Sequence, residues 1–535
     1  MNGDFAQTGK LVRLILRRER SVSGIWIAGL TSFSVALAAG MNVGFDDLAR
    51  QALAETLSNP GVVAMMGPVY GADNYTVGAM YSNTVLLWVM LSVAVMNIFL
   101  VIRHTRADEE SGRYEIVRSL PSGRLANINA TMICAVIINL IMALAIGVGI
   151  YLAGDKALGF GGSLLYGFVL AASGLVFAAL AALFAQLSSN SRGALGYSFL
   201  SLGFFYMLRA AGDIQNETMS LVSPLGLALR AQVFVLDVWW PCVVLLIEAS
   251  SLALIAYKLD AIRDLDQGFI PAKPGRANAS AFLQSAFGLA FRLLRNTLLV
   301  WTVCMFVLGA SYGSILGDID TFVQKSELYQ TIIGVNNDYS IAMMFATMTN
   351  SETAMLCLVP VLSVVLRLRS EEKDGRAEQI LARSVSRTGY LAGYMGLALV
   401  TSLVMQSASA TGLYLTAWAV MPSPPEFSLW FLLKAGFVYL PAIWLIMGLA
   451  ILLIGVLPKA TSVIWGYSAF SFALSFISRV VELPEPVEWL NVFSHVPRLP
   501  IDTIDFTKLA GLTAVATGLV AIGFYFYRKR DYLTA

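Results

Sequence analysis

The chain has 535 residues, 57% of them apolar and only 13% charged, with a formal net charge of +2 and a mean hydropathy of +0.71. A soluble domain carries roughly 25% charged residues, so this composition excludes an ordinary water-soluble fold and points to an all-α polytopic membrane protein. The four cysteines, Cys134, Cys242, Cys304 and Cys357, all lie in apolar runs and form no CxxC pair, which suits small buried side chains and supports neither a disulfide framework nor a metal site.

In chain order, residues 5–20 read as a basic amphipathic helix. At 100° per residue Lys10, Arg13, Arg17 and Arg20 gather on one side and Leu11, Val12, Ile15 and Leu16 on the other, the pattern of a helix lying in the membrane interface. Arg18 intrudes on the apolar edge, from which it is expected to snorkel. The basic region is too long for a cleavable signal, and no small-residue cleavage site follows the first apolar run.

Twelve apolar runs then follow, each long enough to cross about 30 Å of hydrocarbon. The first six lie near 23–42, 76–102, 126–153, 163–187, 194–211 and 237–257. The second six lie near 297–316, 341–366, 389–419, 434–457, 461–479 and 509–527. The expected organisation is a first half over 1–257, a linker with an interface helix over 258–296, and a second half over 297–535. Residues 258–280 hold Pro271, Pro274 and Gly275 among polar side chains, a linker rather than a domain. With the N-terminus inside, 27 of the 36 Lys and Arg fall on inner segments, so both termini are expected in the cytoplasm.

Between the second and third runs lies a dense polar island, Arg103 to Arg124, and it occurs twice. Shifted by 263 residues without a gap, Arg106, Glu109, Gly112, Arg113, Glu115 and Arg124 fall on Arg369, Glu372, Gly375, Arg376, Glu378 and Arg387, and Asp108 falls on Glu371. A second match, shifted by 270, carries Gly196-Tyr197-Ser198, Ser201 and Arg209 onto Gly466-Tyr467-Ser468, Ser471 and Arg479. Together these indicate a tandem duplication of six spans, in which both copies share one topology. Within the first island, Glu109–Arg113 and Glu115–Arg118 have the spacing of ion pairs on one helix. A solvated loop would satisfy the positive-inside rule equally well, but that rule does not call for repeated acids. A docking helix does.

No GxxxxGK[ST] phosphate loop, HExxH or EF-hand sequence occurs, and the only histidines are His104 and His495. The chain is therefore expected to be no enzyme and to bind no cofactor or metal itself. Nucleic acid is not expected as a partner. Glu352, deep in the eighth run, and Glu248, in the sixth, are intramembrane carboxylates that either recognise a cation or proton or pack in hydrogen-bonded form.

Four sets of residues carry a family resemblance: Glu109-x-x-Gly112-Arg113-x-Glu115 and its copy; Arg263-Asp264-Leu265 through Gly268 to Pro271-x-x-Pro274-Gly275; Ser223-Pro224-Leu225-Gly226 followed by Trp239-Trp240-Pro241; and Phe493-Ser494-His495-Val496-Pro497-x-Leu499-Pro500. They span nearly the whole chain, which resembles the fused twelve-span permeases of ABC exporters of polyketide antibiotics and other drugs. That resemblance implies a type V ABC exporter-like fold of 12 transmembrane helices as two six-helix repeats in a bacterial cytoplasmic membrane. It also implies coupling helices at about 106–118 and 369–381, carried by Glu109, Gly112, Arg113, Glu115, Glu372, Gly375, Arg376 and Glu378. They would dock two copies of a separate ABC nucleotide-binding subunit, in which ATP and Mg are bound. Asp374 in place of Ser111, and Leu381 and Ser384 opposite Arg118 and Pro121, make the two docking sites unequal.

By the same resemblance, residues 213–234 and 482–508 form outer re-entrant segments, and the second, fifth, eighth and eleventh spans line the route of a hydrophobic or amphipathic small molecule. Phe199, Ser201, Phe205 and Tyr206, with Ser471, Phe472 and Phe476 and with Glu352, are the candidate lining residues, although serines and aromatics also pack helix on helix. Arg209 and Arg479 form an outer gate or anchor to lipid headgroups. The competing class is a proton-coupled secondary multidrug transporter, which also places an acid-Gly-Arg motif in a loop of each half. A lipid scramblase or scaffold has no specific support.

Overall fold

The computed structural model describes residues 3–44, 47–153, 158–271, 278–317, 319, 339–383, 385–421, 423–478 and 488–530. It divides into two helical units, Met1–Gly275 and Arg276–Ala535.

The first unit holds α1 (Thr8–Gly44), α2 (Val77–His104), α3 (Ala126–Ala153), α4 (Phe160–Leu187), α5 (Ser191–Gln215) and α6 (Trp240–Ile262). Here α3 packs on α1 and α4, and α4 also packs on α2 and α6. The second unit holds α7 (Ala286–Ile315), α8 (Ile341–Lys373, with a break at Cys357), α9 (Arg387–Val420), α10 (Leu429–Val456, with a break at Val438–Tyr439), α11 (Val463–Ile477) and α12 (Phe506–Lys529). Within it α9 packs on α7 and α8, and α10 on α8 and α12.

Helix α3 shows why these sequences are apolar all round. Its Ala135, Ile138, Met142, Ile146 and Ile150 recur every three or four residues and are buried against neighbouring helices, while Val136, Leu140, Leu144, Val148 and Leu152 stay exposed. Lipid covers that second stripe, so both faces are apolar. Small residues bring the backbones together, as where Gly167 of α4 meets the Ala143 carbonyl of α3. Asn97 of α2 and Asn139 of α3 exchange side-chain hydrogen bonds of 3.1 and 2.7 Å in a fully buried position.

Among the described residues ten helices are long and apolar enough to cross a membrane, against the twelve runs expected. The two that fall short coincide with the fifth and eleventh runs. Helix α5 is long enough, but Arg192, Arg209 and Asp213 lower its hydropathy. Helix α11 has only 15 residues, about 22 Å at 1.5 Å per residue, where a run to 479 was expected.

One further expectation changes, and two more gain structural detail. The amphipathic segment and the first span form one continuous helix, α1, and Leu11 and Ile15 are buried against Ala126, Ala130 and Cys134 of α3 rather than facing lipid. The linker begins as a packed strap: Ile270 N–H donates to the Leu187 carbonyl at 2.8 Å, and Gly268 lies so close to the Ser188–Ser189 backbone that any Cβ would collide with it. The segment expected to be re-entrant in the first unit contains a short helix, Pro224–Leu229, buried along its whole length. Of its expected counterpart, 482–487 lies outside the described residues, while Val492 and Phe493 are buried.

Candidate functional site

The charged islands join α2 to α3 and α8 to α9. Neither contains the single stiff helix expected. In the first, α2 stops at Thr105, a short helix runs Arg106–Glu110, and another runs Arg113–Arg118. In the second, α8 continues to Lys373 and a short helix follows at Arg376–Leu381. The breaks fall at Gly112 (φ 74°, ψ −2°) and Gly375 (φ 71°, ψ 2°). This left-handed conformation costs an L-residue with a Cβ roughly 1–2 kcal/mol, which accounts for glycine at both places.

The break changes who pairs with whom. Glu109 does not meet Arg113 as the helical spacing suggested. Instead Asp108, Glu109 and Glu110, consecutive residues about 100° apart, point at three different helices. Asp108 takes both Arg18 guanidinium nitrogens of α1, at 2.7 and 3.0 Å, together with Arg113 at 3.2 Å. Arg18 therefore does not snorkel. Glu109 takes the fork of Arg263, the residue capping the C-terminus of α6, at 2.9 and 2.8 Å, with Arg106 at 2.9 Å and the Asp266 N–H at 2.8 Å. Glu110 accepts the Ser191 N–H at 3.0 Å, and the Ser191 hydroxyl as well, at the positive N-terminal end of α5. Arg118 forms no ion pair with Glu115 among the described residues, and its guanidinium lies 5.2 Å from the centre of the Tyr114 ring.

The second unit contains corresponding contacts. Glu371 pairs with Arg376 at 2.6 Å and with Arg367 at 2.5 Å. Arg376 also bonds Asp374. Glu372 pairs with Arg369 at 3.4 Å and with Arg530, the residue capping α12, at 2.7 Å. The last arginine of each island completes the arrangement. Arg124 donates to the Arg263 carbonyl at 2.8 Å, and Arg387 to the Arg530 carbonyl at 2.8 Å. Each cap is thus held through its side chain by an acid and through its carbonyl by an arginine, which satisfies a helix-end acceptor that lacks an intrahelical partner.

Electrostatics follow from burial. The Glu109 and Arg263 side chains are each 6% exposed and the Glu372 side chain 2%. Burial opposes the charge on Arg263, but the carboxylate of Glu109 more than restores it and lifts its pKa above the ordinary guanidinium value. The hydrogen bond that Arg376 donates to the Glu371 carboxylate likewise raises the Arg376 value above the ordinary one. Burial pushes the Tyr114 hydroxyl up.

What remains on the outside is different. Glu115 and Glu378 are exposed, as is Arg113. Beside Glu115, Ile116 is 70% and Leu120 62% exposed, where the second island has Gln379 and Arg383. A cleft of about 350 Å³ is lined by Leu11, Leu14 and Ile15 of α1 and by Tyr114, Ile116 and Val117.

Within each unit the proposed pathway residues differ in exposure and in what they touch. Phe199 is at the exposed margin, Phe205 packs edge-on against Phe177, and Ser201 is turned onto the Ser198 carbonyl at 2.8 Å. The Tyr206 hydroxyl donates to the Met65 carbonyl at 2.9 Å. Ser471 is buried and Phe472 exposed; Phe476 lies on α11. Glu352 is buried and accepts from the Tyr312 hydroxyl of α7 at 2.9 Å. A cleft of about 540 Å³ between α7 and α9 contains none of them; it is lined by Phe291, Leu299, Val303 and Val404, with Arg295 among them.

Arg209 is fully buried, so it is no headgroup anchor. It pairs with Asp213 at 3.1 Å, donates to the Ala64 carbonyl at 2.7 Å at the end of the short helix Pro60–Met66, and lies over the Tyr206 ring. Arg479 lies outside the described residues.

Sequence reading missed Asp108's partner Arg18, and Glu110, Arg263 and Arg530. One signal was available: an Arg-Asp pair, Arg263-Asp264 and Arg530-Asp531, directly follows the last span of each half.

The helices, their lipid-facing stripes and the buried ionic scaffold define a polytopic α-helical membrane protein. A family model described as Multidrug efflux system permease Rv1217c, C-terminal domain, matches residues 283–528. The chain is 34% identical over 533 residues to the multidrug efflux system permease protein Rv1217c of Mycobacterium tuberculosis (strain ATCC 25618 / H37Rv), covering 98% of this chain and 95% of that one. It therefore belongs to the family of that multidrug efflux system permease.

Proposed function

We propose that this chain is the membrane subunit of an ATP-binding-cassette exporter in a bacterial plasma membrane, with both termini cytoplasmic and twelve spans arranged as two tandem six-helix repeats. Two copies of a separate nucleotide-binding subunit, which carry the ATP and Mg, dock on the two islands. Their closure drives alternating access for a hydrophobic or amphipathic drug-like molecule.

One observation carries the reading. Each island is rooted by buried ion pairs in its own unit while presenting Glu115 or Glu378 outward. A surface loop that only obeyed the positive-inside rule would need no such foundation. The matched breaks, pairs and caps support duplication in the same way. Of the acids named from sequence, Glu109 and Glu372 suit the foundation, and Glu115 and Glu378 suit docking.

The test is the double substitution Glu115→Lys with Glu378→Lys on an affinity-tagged chain purified from its native host. Both positions are exposed, so stability should move by no more than about 0.5 kcal/mol. The co-purifying ATPase and its activity should fall sharply. Retention of both at the wild-type level would refute docking through the islands. A proton-coupled carrier is the second reading, favoured by the buried Glu352 carboxyl beside Tyr312.

A further inference from the structure

We propose that Arg263 and Arg530 are positioning residues that carry movement of each island into the last helix of its own unit. This rests on the subunit reading above.

Three observations lead there. First, the clasp is shared where its surroundings are not. Aligned on the caps, residues 258–264 (KLDAIRD) and 525–531 (YFYRKRD) agree only at the arginine and the aspartate after it. Yet both arginines end a helix, both bond the second acid of the island, and both offer their carbonyl to the island's last arginine. Second, it is the tie to a distant helix that both units keep. The contact of Glu110 with α5 has no equivalent, because Lys373 occupies the matching position. Asp108 reaches α1 through Arg18, whereas Glu371 is held by Arg367 of its own helix. Third, buried ion pairs are weak contributors to net stability compared with apolar packing of the same volume. Stability alone gives little reason for two such clasps.

The geometry suits transmission. Each cap is gripped at both its side chain and its carbonyl by charge-assisted bonds, and behind it runs a helix of 23 residues in α6 or 24 in α12. An island pushed by a docked partner cannot leave the helix end behind without uncovering a buried charge. Arg530 also donates to the Ile454 carbonyl near the end of α10, so the second clasp holds two helices.

The experiment is hydrogen exchange on the tagged chain isolated with its co-purifying ATPase, with and without ATP and vanadate. In the wild type, exchange should change on nucleotide trapping both in the islands (106–118, 369–381) and at the helix ends (256–267, 524–530). In R263Q/R530Q, and separately in E109Q/E372Q, the change should persist in the islands and vanish at the helix ends. R263K/R530K, which keeps the charge but not the fork, should restore part of it. Exchange without nucleotide reports whether each variant is folded. Helix ends that respond in the glutamine variants as in the wild type, or that stay silent in the wild type, overturn the proposal. If the wild type brings down no ATPase at all, the subunit reading falls first and this one with it.

Discussion

Glu109 and Glu115 lie six residues apart in one island and face opposite energetics. Glu109 is buried among Arg263, Arg106 and the Asp266 N–H, whereas Glu115 is exposed. Removing one partner of a buried pair strands the other, at roughly 3–5 kcal/mol, while an exposed substitution stays within about 0.5 kcal/mol. Thermal unfolding of the detergent-purified chain should therefore separate R263A, strongly destabilised, from E115A, unchanged. Equal midpoints would mean that the clasp is not formed. Arg209 belongs with the first group, because its loss leaves buried Asp213 with only the longer Arg230 contact at 3.8 Å and the end of the helix Pro60–Met66 without its cation. R209A should be destabilised on the same scale, and a wild-type midpoint would contradict its burial.

Elements respond on a smaller scale. A Cβ added at Gly112 or Gly375 meets nothing within 4 Å, so the cost of alanine there comes from the left-handed backbone alone. G112A and G375A should each cost roughly 1–2 kcal/mol in an unfolding titration. A neutral result would mean the short helices run on unbroken. Asn97 and Asn139 join α2 to α3, and a double-mutant cycle on N97A and N139A should return a coupling of about 0.6–1.7 kcal/mol. Zero coupling would contradict the contact. Much at this scale was readable in advance. Apolar runs mark helices reliably because lipid allows no other way to satisfy the backbone, and the two helices that fall short, α5 and α11, do so through charge and length. The pairing of Glu109 was not readable: the i,i+4 rule assumes an unbroken helix, and Gly112 breaks it. Nor was the interface reading of residues 5–20, because an amphipathic face suits a protein neighbour such as α3 as well as it suits lipid.

At the scale of the whole chain, the acids, glycines and arginines that recur in the islands were visible as a sequence match before any fold was known. What they bind was not, since Arg263 lies 154 residues from Glu109 and only tertiary packing brings them together. The central claim is that transport needs a motor supplied by another protein. It is tested most directly by reconstituting the purified chain into vesicles, alone and with the ATPase that co-purifies, and following accumulation of a fluorescent drug. The account predicts uphill accumulation only with the ATPase and ATP present, and none from the chain alone under a pH gradient. Uphill accumulation by the chain alone, driven by that gradient, would contradict it.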